Sequence, residues 1–113
     1  MESRLPAHLE VAGMIRAVQA AGGFATVIAK GDREAGTILA ICCVNGAGAA
    51  AYERMPQADG SRKWTLTRKQ SIEENREFWE YCDRRSKQDN DLWIVELDIA
   101  NGERFIDDTL ISR

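Results

Sequence analysis

The stretch Lys30–Gly36 combines two basic residues with two glycines, the residue types that commonly hold phosphate groups. A phosphate loop, however, continues from Gly-Lys-Ser/Thr into a helix, whereas an apolar run typical of a strand follows here. Asp32 and Glu34 would also repel an anion. We therefore interpret the stretch as a tight turn and as the first place where a ligand could bind. The candidate ligand-binding residues are Lys30, Asp32 and Arg33.

Nucleophilic catalysis by a Ser-His-Asp or Cys-His arrangement would have to use His8, the only histidine in the chain. His8 follows Pro6 at the predicted start of a helix, and no Gly-x-Ser-x-Gly elbow is present, so we interpret it as a surface residue. The cysteines, Cys42, Cys43 and Cys82, show no Cys-x-x-Cys spacing, and neighbours on a strand point to opposite faces. We predict three reduced, buried thiols, with no catalytic residue, metal site or cofactor.

A third candidate site is an aromatic and basic surface around Trp64. An exposed tryptophan among basic side chains binds single-stranded nucleic acid or an acidic partner, whereas a buried one supplies core area. The net charge of −3 argues against a dedicated nucleic-acid binder. The candidate interaction residues are Arg62, Lys63, Trp64 and Arg68.

Hydrophobic patterning predicts the elements that must position these residues. The run 37–44 is continuously apolar and the run 92–97 is nearly all apolar, which is typical of strands covered on both faces. The strand over 49–55 is rich in alanine, and Tyr52 is followed in it by the charged residues Glu53 and Arg54, so we expect it at an exposed or edge position. Ser71-Ile72-Glu73-Glu74 matches a capping box and predicts the start of the second helix. The remaining predicted elements are a helix over about 6–21 and strands over 24–30, 63–68 and 103–106.

These elements predict a three-layer α/β/α sandwich with a mixed, mostly antiparallel sheet, in the order α-β-β-β-β-α-β-β. With 113 residues, we expect one globular domain over 1–113. No segment approaches the roughly 20 apolar residues that span a bilayer, and the amino terminus lacks the pattern of a secretory signal. We therefore expect a cytoplasmic protein with no membrane contact.

Three stretches carry a resemblance to a known family: Arg4-Leu5-Pro6-Ala7-His8-Leu9, the segment from Ala20 to Leu39, and Asp91-Leu92-Trp93-Ile94-Val95-Glu96-Leu97-Asp98. Together they resemble DUF1491, a family of small alphaproteobacterial proteins of unknown function. The resemblance covers nearly the whole chain. It implies a single-domain size and an alphaproteobacterial source, and it supplies no activity, substrate or catalytic residue.

The leading functional hypothesis is a non-catalytic binding or adaptor domain that works through a protein interface, with an unidentified partner and a homodimer left open. The first alternative is a phosphate- or nucleotide-binding protein or enzyme that uses Lys30–Gly36 with a carboxylate such as Asp98. The second is a weak nucleic-acid binder that uses the basic face around Trp64. A flat apolar patch rimmed by charge favours the protein interface. A deep pocket at the loop favours the phosphate- or nucleotide-binding protein, and a basic groove favours the nucleic-acid binder.

Overall fold

The computed structural model describes residues 5–56, 58–71 and 75–106. Its strands form one sheet in the order β1-β5-β2-β3-β4, in which β2 and β5 run parallel and the other pairs run antiparallel. Within the described ranges, no helix is both long and apolar enough to cross a membrane. In chain order the elements are α1 (Ala7–Ala20), β1 (Phe24–Ala29), β2 (Ile38–Val44), β3 (Ala47–Pro56), β4 (Arg62–Lys69), α2 (Asn75–Gln88), β5 (Trp93–Asp98) and a 3-10 helix (Gly102–Phe105).

The two α-helices lie on opposite faces of the sheet, and each covers its own core. Val11, Met14 and Val18 of α1 belong to the core on one face. Phe78 and Cys82 of α2 belong to the core on the other face. This arrangement confirms the predicted three-layer α/β/α sandwich with a mixed, mostly antiparallel sheet.

The apolar strand β2 and the largely apolar strand β5 occupy the interior of the sheet, as their patterning predicts. Alternate residues of β2 enter the two cores, because successive side chains of a strand point to opposite faces. Ile38, Ala40 and Cys42 pack on the α1 side, and Leu39, Ile41 and Cys43 pack on the α2 side.

The prediction that the third strand is exposed or at an edge is wrong, since β3 lies between β2 and β4. Its two charged residues, Glu53 and Arg54, form ion pairs with the helices. Arg54 Nη2 lies 2.7 Å from Glu10 Oε1 of α1, and Glu53 Oε2 lies 2.7 Å from Arg85 Nη2 of α2. The charges are therefore satisfied by helices on opposite faces and do not mark an edge.

The predicted strand over 103–106 is also wrong, because the segment forms the 3-10 helix Gly102–Phe105. Asn101 has the left-handed conformation typical of a hairpin turn, with φ of 56°. A returning strand would need a free edge of β5, but β1 and β2 already pair with both edges. The chain therefore turns away and packs the buried Gly102 beside Cys42.

The predicted capping box involves residues 72–74, which lie outside the described residues. Helix α2 is described from Asn75 onward. The role of Ser71 as the helix cap therefore stays a prediction.

Candidate functional site

The Lys30–Gly36 loop connects β1 to β2, and Asp32 holds its shape. The Asp32 carboxylate accepts hydrogen bonds from the backbone N–H groups of Glu34 (3.1 Å) and Ala35 (2.8 Å). The Asp32 backbone N–H donates to the Asp91 carbonyl at 3.1 Å, and Trp93 Nε1 donates to the Asp32 carbonyl at 2.7 Å. Asp32 thus folds the loop on itself and ties it to the segment before β5.

The carbonyl groups of the same loop cap the start of α1. The Ala7 N–H donates to the Glu34 carbonyl at 3.1 Å, and the His8 N–H donates to the Arg33 carbonyl at 2.9 Å. Free N–H groups at a helix start are what makes that end of a helix attractive to an anion. Two of these groups are already occupied here, so the loop completes the helix end instead of presenting it to a ligand.

Both ring nitrogens of His8 are engaged by Arg33. The Nδ1 atom lies 3.0 Å from the Arg33 carbonyl oxygen, and Arg33 Nη2 lies 3.2 Å from His8 Nε2. A carbonyl only accepts and a guanidinium only donates, so Nδ1 carries the proton and Nε2 accepts. This pairing fixes the side chain of Arg33 beside α1, and it gives His8 a structural role.

Gly31 and Gly36 are required for close packing and not for unusual backbone angles. Neither is among the glycines with positive φ. A Cβ at either position would overlap the carbonyl oxygen of Asp91. The segment before β5 therefore passes directly against the loop backbone.

An open cavity of about 250 Å³ lies beside the loop and the start of α1. Among the described residues, the ionisable groups that line it are the carboxylates of Glu10 and Glu34, and none of the predicted ligand-binding residues Lys30, Asp32 and Arg33 is in the lining. Such a lining disfavours a phosphate or nucleotide. The lining residues are Leu5, Ala7, Glu10, Glu34, Ala35 and Gly36.

The sheet separates Asp98 from the loop, so the carboxylate suggested for the enzyme alternative is not beside Lys30. Asp98 pairs with Phe24 and Cys43, at the end of the sheet opposite the loop. Its two oxygens accept hydrogen bonds from the N–H groups of Asn45 (2.6 Å) and Gly46 (3.1 Å). Asp98 therefore caps the hairpin turn between β2 and β3.

Trp64 is 4% exposed and belongs to the core under α1. The Arg54 guanidinium lies 4.8 Å from the centre of its ring, so the aromatic face is covered as well. Arg68 lies over the ring of Tyr81 on α2, on the opposite side of the sheet, while Arg62 and Lys63 are exposed. The exposed aromatic and basic surface that the nucleic-acid hypothesis needs is not formed.

All three cysteines are free and buried. Burial raises the pKa of the Cys42 and Cys43 thiols to about 12 and that of Cys82 to about 11. Cys43 Sγ also donates to Glu96 Oε2 at 3.3 Å, and this hydrogen bond adds to the rise in its pKa. The thiols are therefore protonated at neutral pH and are poor nucleophiles. In the ranges that the structure describes, no three His, Cys, Asp or Glu residues are grouped as metal ligands.

The clearest surface feature lies on the edge strand β1, which the sequence pattern does not distinguish from an interior strand. Among the described residues, no strand pairs with its outer edge. Phe24 is 74% exposed and Ile28 is 45% exposed. Ala25 and Val27 pack toward α1, so by alternation Phe24 and Thr26 point to the α2 side of the sheet.

A groove of about 220 Å³ opens beside Ile28, between β1 and α2. Trp79 of α2 forms its other wall, and Asp83 lies at the groove with its carboxylate 3.0 Å from Lys87 Nζ. The lining residues are Ile28, Ala29, Trp79, Cys82, Asp83, Ser86 and Ile94. We call this groove, together with the outer edge of β1 and the side chains of Phe24, Thr26 and Ile28, the β1 surface.

The sequence signal for the β1 surface is the absence of charge from Phe24-Ala25-Thr26-Val27-Ile28-Ala29. This signal has meaning only once the strand is known to lie at an edge, because an uncharged strand is ordinary in the interior of a sheet.

Comparisons with known proteins agree on one family. Residues 5–107 match the family described as "Protein of unknown function (DUF1491)". A crystal structure and an NMR structure of a DUF1491 family protein from Caulobacter crescentus CB15 are similar to this chain at 30% identity, with TM-scores of 0.78 and 0.76. The crystal structure match covers 90% of this chain and 94% of that one, and the NMR match covers 92% and 94%.

The solution structure of protein Atu0922 from A. tumefaciens is similar at 29% identity, with a TM-score of 0.69, over 88% of this chain and 89% of that one. No curated protein matches the chain. The family match over nearly the whole chain and the two Caulobacter structures lead to one conclusion: this chain belongs to the DUF1491 family of proteins of unknown function.

Proposed function

We propose that this protein is a non-catalytic, cytoplasmic binding domain that acts through a protein interface, and that the interface is the β1 surface. The observation that carries the proposal is an uncharged edge strand with two large exposed apolar side chains, Phe24 and Ile28. Exposed, uncharged edges are rare in monomeric proteins because they pair with other chains. The three free, buried thiols are in keeping with a reducing compartment.

The opposite edge of the same sheet supports this choice by contrast. Strand β4 carries four basic residues in eight, and like charges along an edge discourage pairing with another strand. The two edges thus differ in the property that decides whether a strand associates. The basic residues of β4 are Arg62, Lys63, Arg68 and Lys69.

The alternatives find less support in the geometry. The cavity beside the Lys30–Gly36 loop presents carboxylates, and the loop uses its own polar groups to hold its shape and to cap α1. The nucleic-acid reading needs an exposed Trp64, which is instead in the core. A protein interface needs no such site. It needs only an accessible surface whose burial against a partner lowers the free energy.

A capture experiment tests the proposal. The tagged full chain, Phe24→Glu and Leu66→Glu are each exposed to a lysate of the organism that encodes the protein, and bound proteins are identified by mass spectrometry. Leu66 is the matched control, because it is an exposed aliphatic residue on the other edge strand (46%). We expect a protein that wild type and Leu66→Glu retain and Phe24→Glu loses.

A thermal-shift screen with nucleotides, sugar phosphates and dicarboxylates tests the alternative. A ligand at about a hundred times its dissociation constant stabilises a protein by about 2.7 kcal/mol. A reproducible shift that disappears in Lys30→Ala or Arg33→Ala would replace the protein interface with a small-molecule site.

A further inference from the structure

We infer that the β1 surface binds a second copy of this chain, through antiparallel pairing of the two β1 strands about a twofold axis. The inference rests on the proposed function, since it takes the β1 surface to be a protein interface, and it adds the identity of the partner.

The first argument is that the β1 surface is complementary to itself. Phe24 protrudes at one end of the strand, and the groove beside Ile28 opens near the other end. A twofold axis reverses the strand direction, so it brings the protruding Phe24 of each copy to the groove end of the other. A twofold interface requires this reciprocity, because every contact from the first copy to the second is repeated from the second copy to the first.

The register follows from the faces on which the side chains lie. Residues directly opposite each other in an antiparallel pair share a face, so the axis must pass through a residue and not between two. An axis at Thr26 places Thr26 opposite its own copy and brings Phe24 to Ile28, where β1 bulges and regular pairing ends. Phe24 and Thr26 lie on the α2 side by alternation, and Ile28 lines the groove on that side. The ring of Phe24 would then cover Ile28 and the mouth of the groove.

Charge favours a second copy over a charged peptide segment. The six residues of β1 offer no ionic partner to such a segment. Asp98 pairs with Phe24 from the inner strand β5, but both of its oxygens already accept hydrogen bonds from the N–H groups of Asn45 and Gly46.

The pairing is short, because a register irregularity separates Val27 from Ala29. We therefore expect a reversible dimer with a dissociation constant on the order of micromolar, at the weak end of the range for protein interfaces. Sedimentation velocity of the purified full chain between about 1 and 500 µM is the suitable measurement.

We expect the wild type and Leu66→Glu to shift from monomer toward dimer mass over this range. Phe24→Glu should associate at least about tenfold more weakly, because each interface loses two apolar contacts and gains two carboxylates. Phe24 is exposed in the monomer, so circular dichroism should show an unchanged fold. A wild type that stays monomeric, or a dimer that Phe24→Glu leaves intact, would overturn the inference.

Cysteine cross-linking tests the register independently. Directly opposite residues have Cα atoms about 4.5–5.5 Å apart, within the range that a disulfide spans. Thr26→Cys should therefore form an intermolecular disulfide on mild oxidation, whereas Thr65→Cys, an exposed position on β4, should not. Equal cross-linking of the two variants contradicts the Thr26 register.

The failures of the two proposals are distinguishable. If the wild type stays monomeric but captures another protein in a Phe24-dependent way, the inference of a second copy is overturned and the proposed protein interface is still supported. A protein that shows no Phe24-dependent association of any kind overturns both.

Discussion

Replacing Gly36 with alanine should destabilise the domain strongly, although alanine is the smallest possible addition. The new Cβ would overlap the Asp91 carbonyl oxygen and would lie 2.9 Å from the Asp32 carbonyl oxygen and 3.0 Å from Trp93 Cδ1. Two of these three atoms belong to the backbone, so rotation of a side chain cannot relieve the overlap.

The magnitude follows from the contacts that must change. Overpacking a filled site costs about 1–3 kcal/mol. A shift of the loop would also weaken the Asp32 N–H bond to the Asp91 carbonyl and the Trp93 indole bond to the Asp32 carbonyl, each of which contributes about 1 kcal/mol. We therefore expect Gly36→Ala to lower the free energy of unfolding by about 3–5 kcal/mol.

The assay is denaturant unfolding followed by tryptophan fluorescence and circular dichroism. Gly13→Ala is the matched control, since Gly13 lies within α1 and a Cβ there would meet no atom within 4 Å. It should raise stability by about 0.5–1 kcal/mol. Lys30→Ala and Arg33→Ala should each change stability by less than about 0.5 kcal/mol. A Gly36→Ala variant within about 1 kcal/mol of wild type would refute the reasoning that the loop is built on close packing.

Three further predictions concern the thiols and the second helix. Native protein should react slowly with a thiol reagent near pH 8, because burial raises the pKa of every cysteine. Denatured protein should titrate three thiols. A disulfide or stoichiometric zinc after purification without reductant would contradict this prediction. The unfolding free energy should fall as the pH rises from 9 toward 12, since the folded thiols keep protons that the unfolded chain releases. Denaturation series at several pH values should show a shallower fall for Cys43→Ala. Ser71→Ala should lower stability by about 1 kcal/mol if Ser71 caps the helix, and an unchanged denaturation midpoint would mean that the capping box does not form.

The free energy of unfolding falls, and does not rise, over this pH range. A group whose folded pKa lies above its unfolded value binds its proton more tightly in the folded state. Its contribution to stability is complete below the unfolded pKa and is lost as the pH rises toward the folded one. For Cys42 and Cys43 that window runs from about 9 to about 12. Equal slopes for wild type and Cys43→Ala would show that the decline has another source.

Local patterning was sufficient to predict the parts of the fold that depend on neighbouring residues in the chain. The apolar runs of β2 and β5 require cover on both faces wherever they lie, and this requirement alone implies helices above and below the sheet. The hairpin at Asn45 and Gly46 is equally local, with φ angles of 53° and 76° that those residue types favour. The opposed directions of Cys42 and Cys43 follow from the period of a strand.

Strand order was decided by tertiary structure, because it depends on which edges remain free after the chain has folded. Asn101-Gly102 is a dipeptide typical of hairpin turns, but β5 has no free edge, and the segment forms a 3-10 helix. The charges of β3 suggested solvent, but Glu53 and Arg54 meet partners from α2 and α1, which are distant in sequence.

The candidate site depends on the same distinction between local and long-range information. The tightness of the Lys30–Gly36 loop was visible in its glycines, but its cause is the backbone of Asp91, about 60 residues away along the chain. The apolar character of β1 was equally visible, and its meaning was not. An uncharged strand is ordinary when both of its edges are paired, and it exposes unpaired backbone groups when one edge is free. Only the assembled sheet places β1 at the edge.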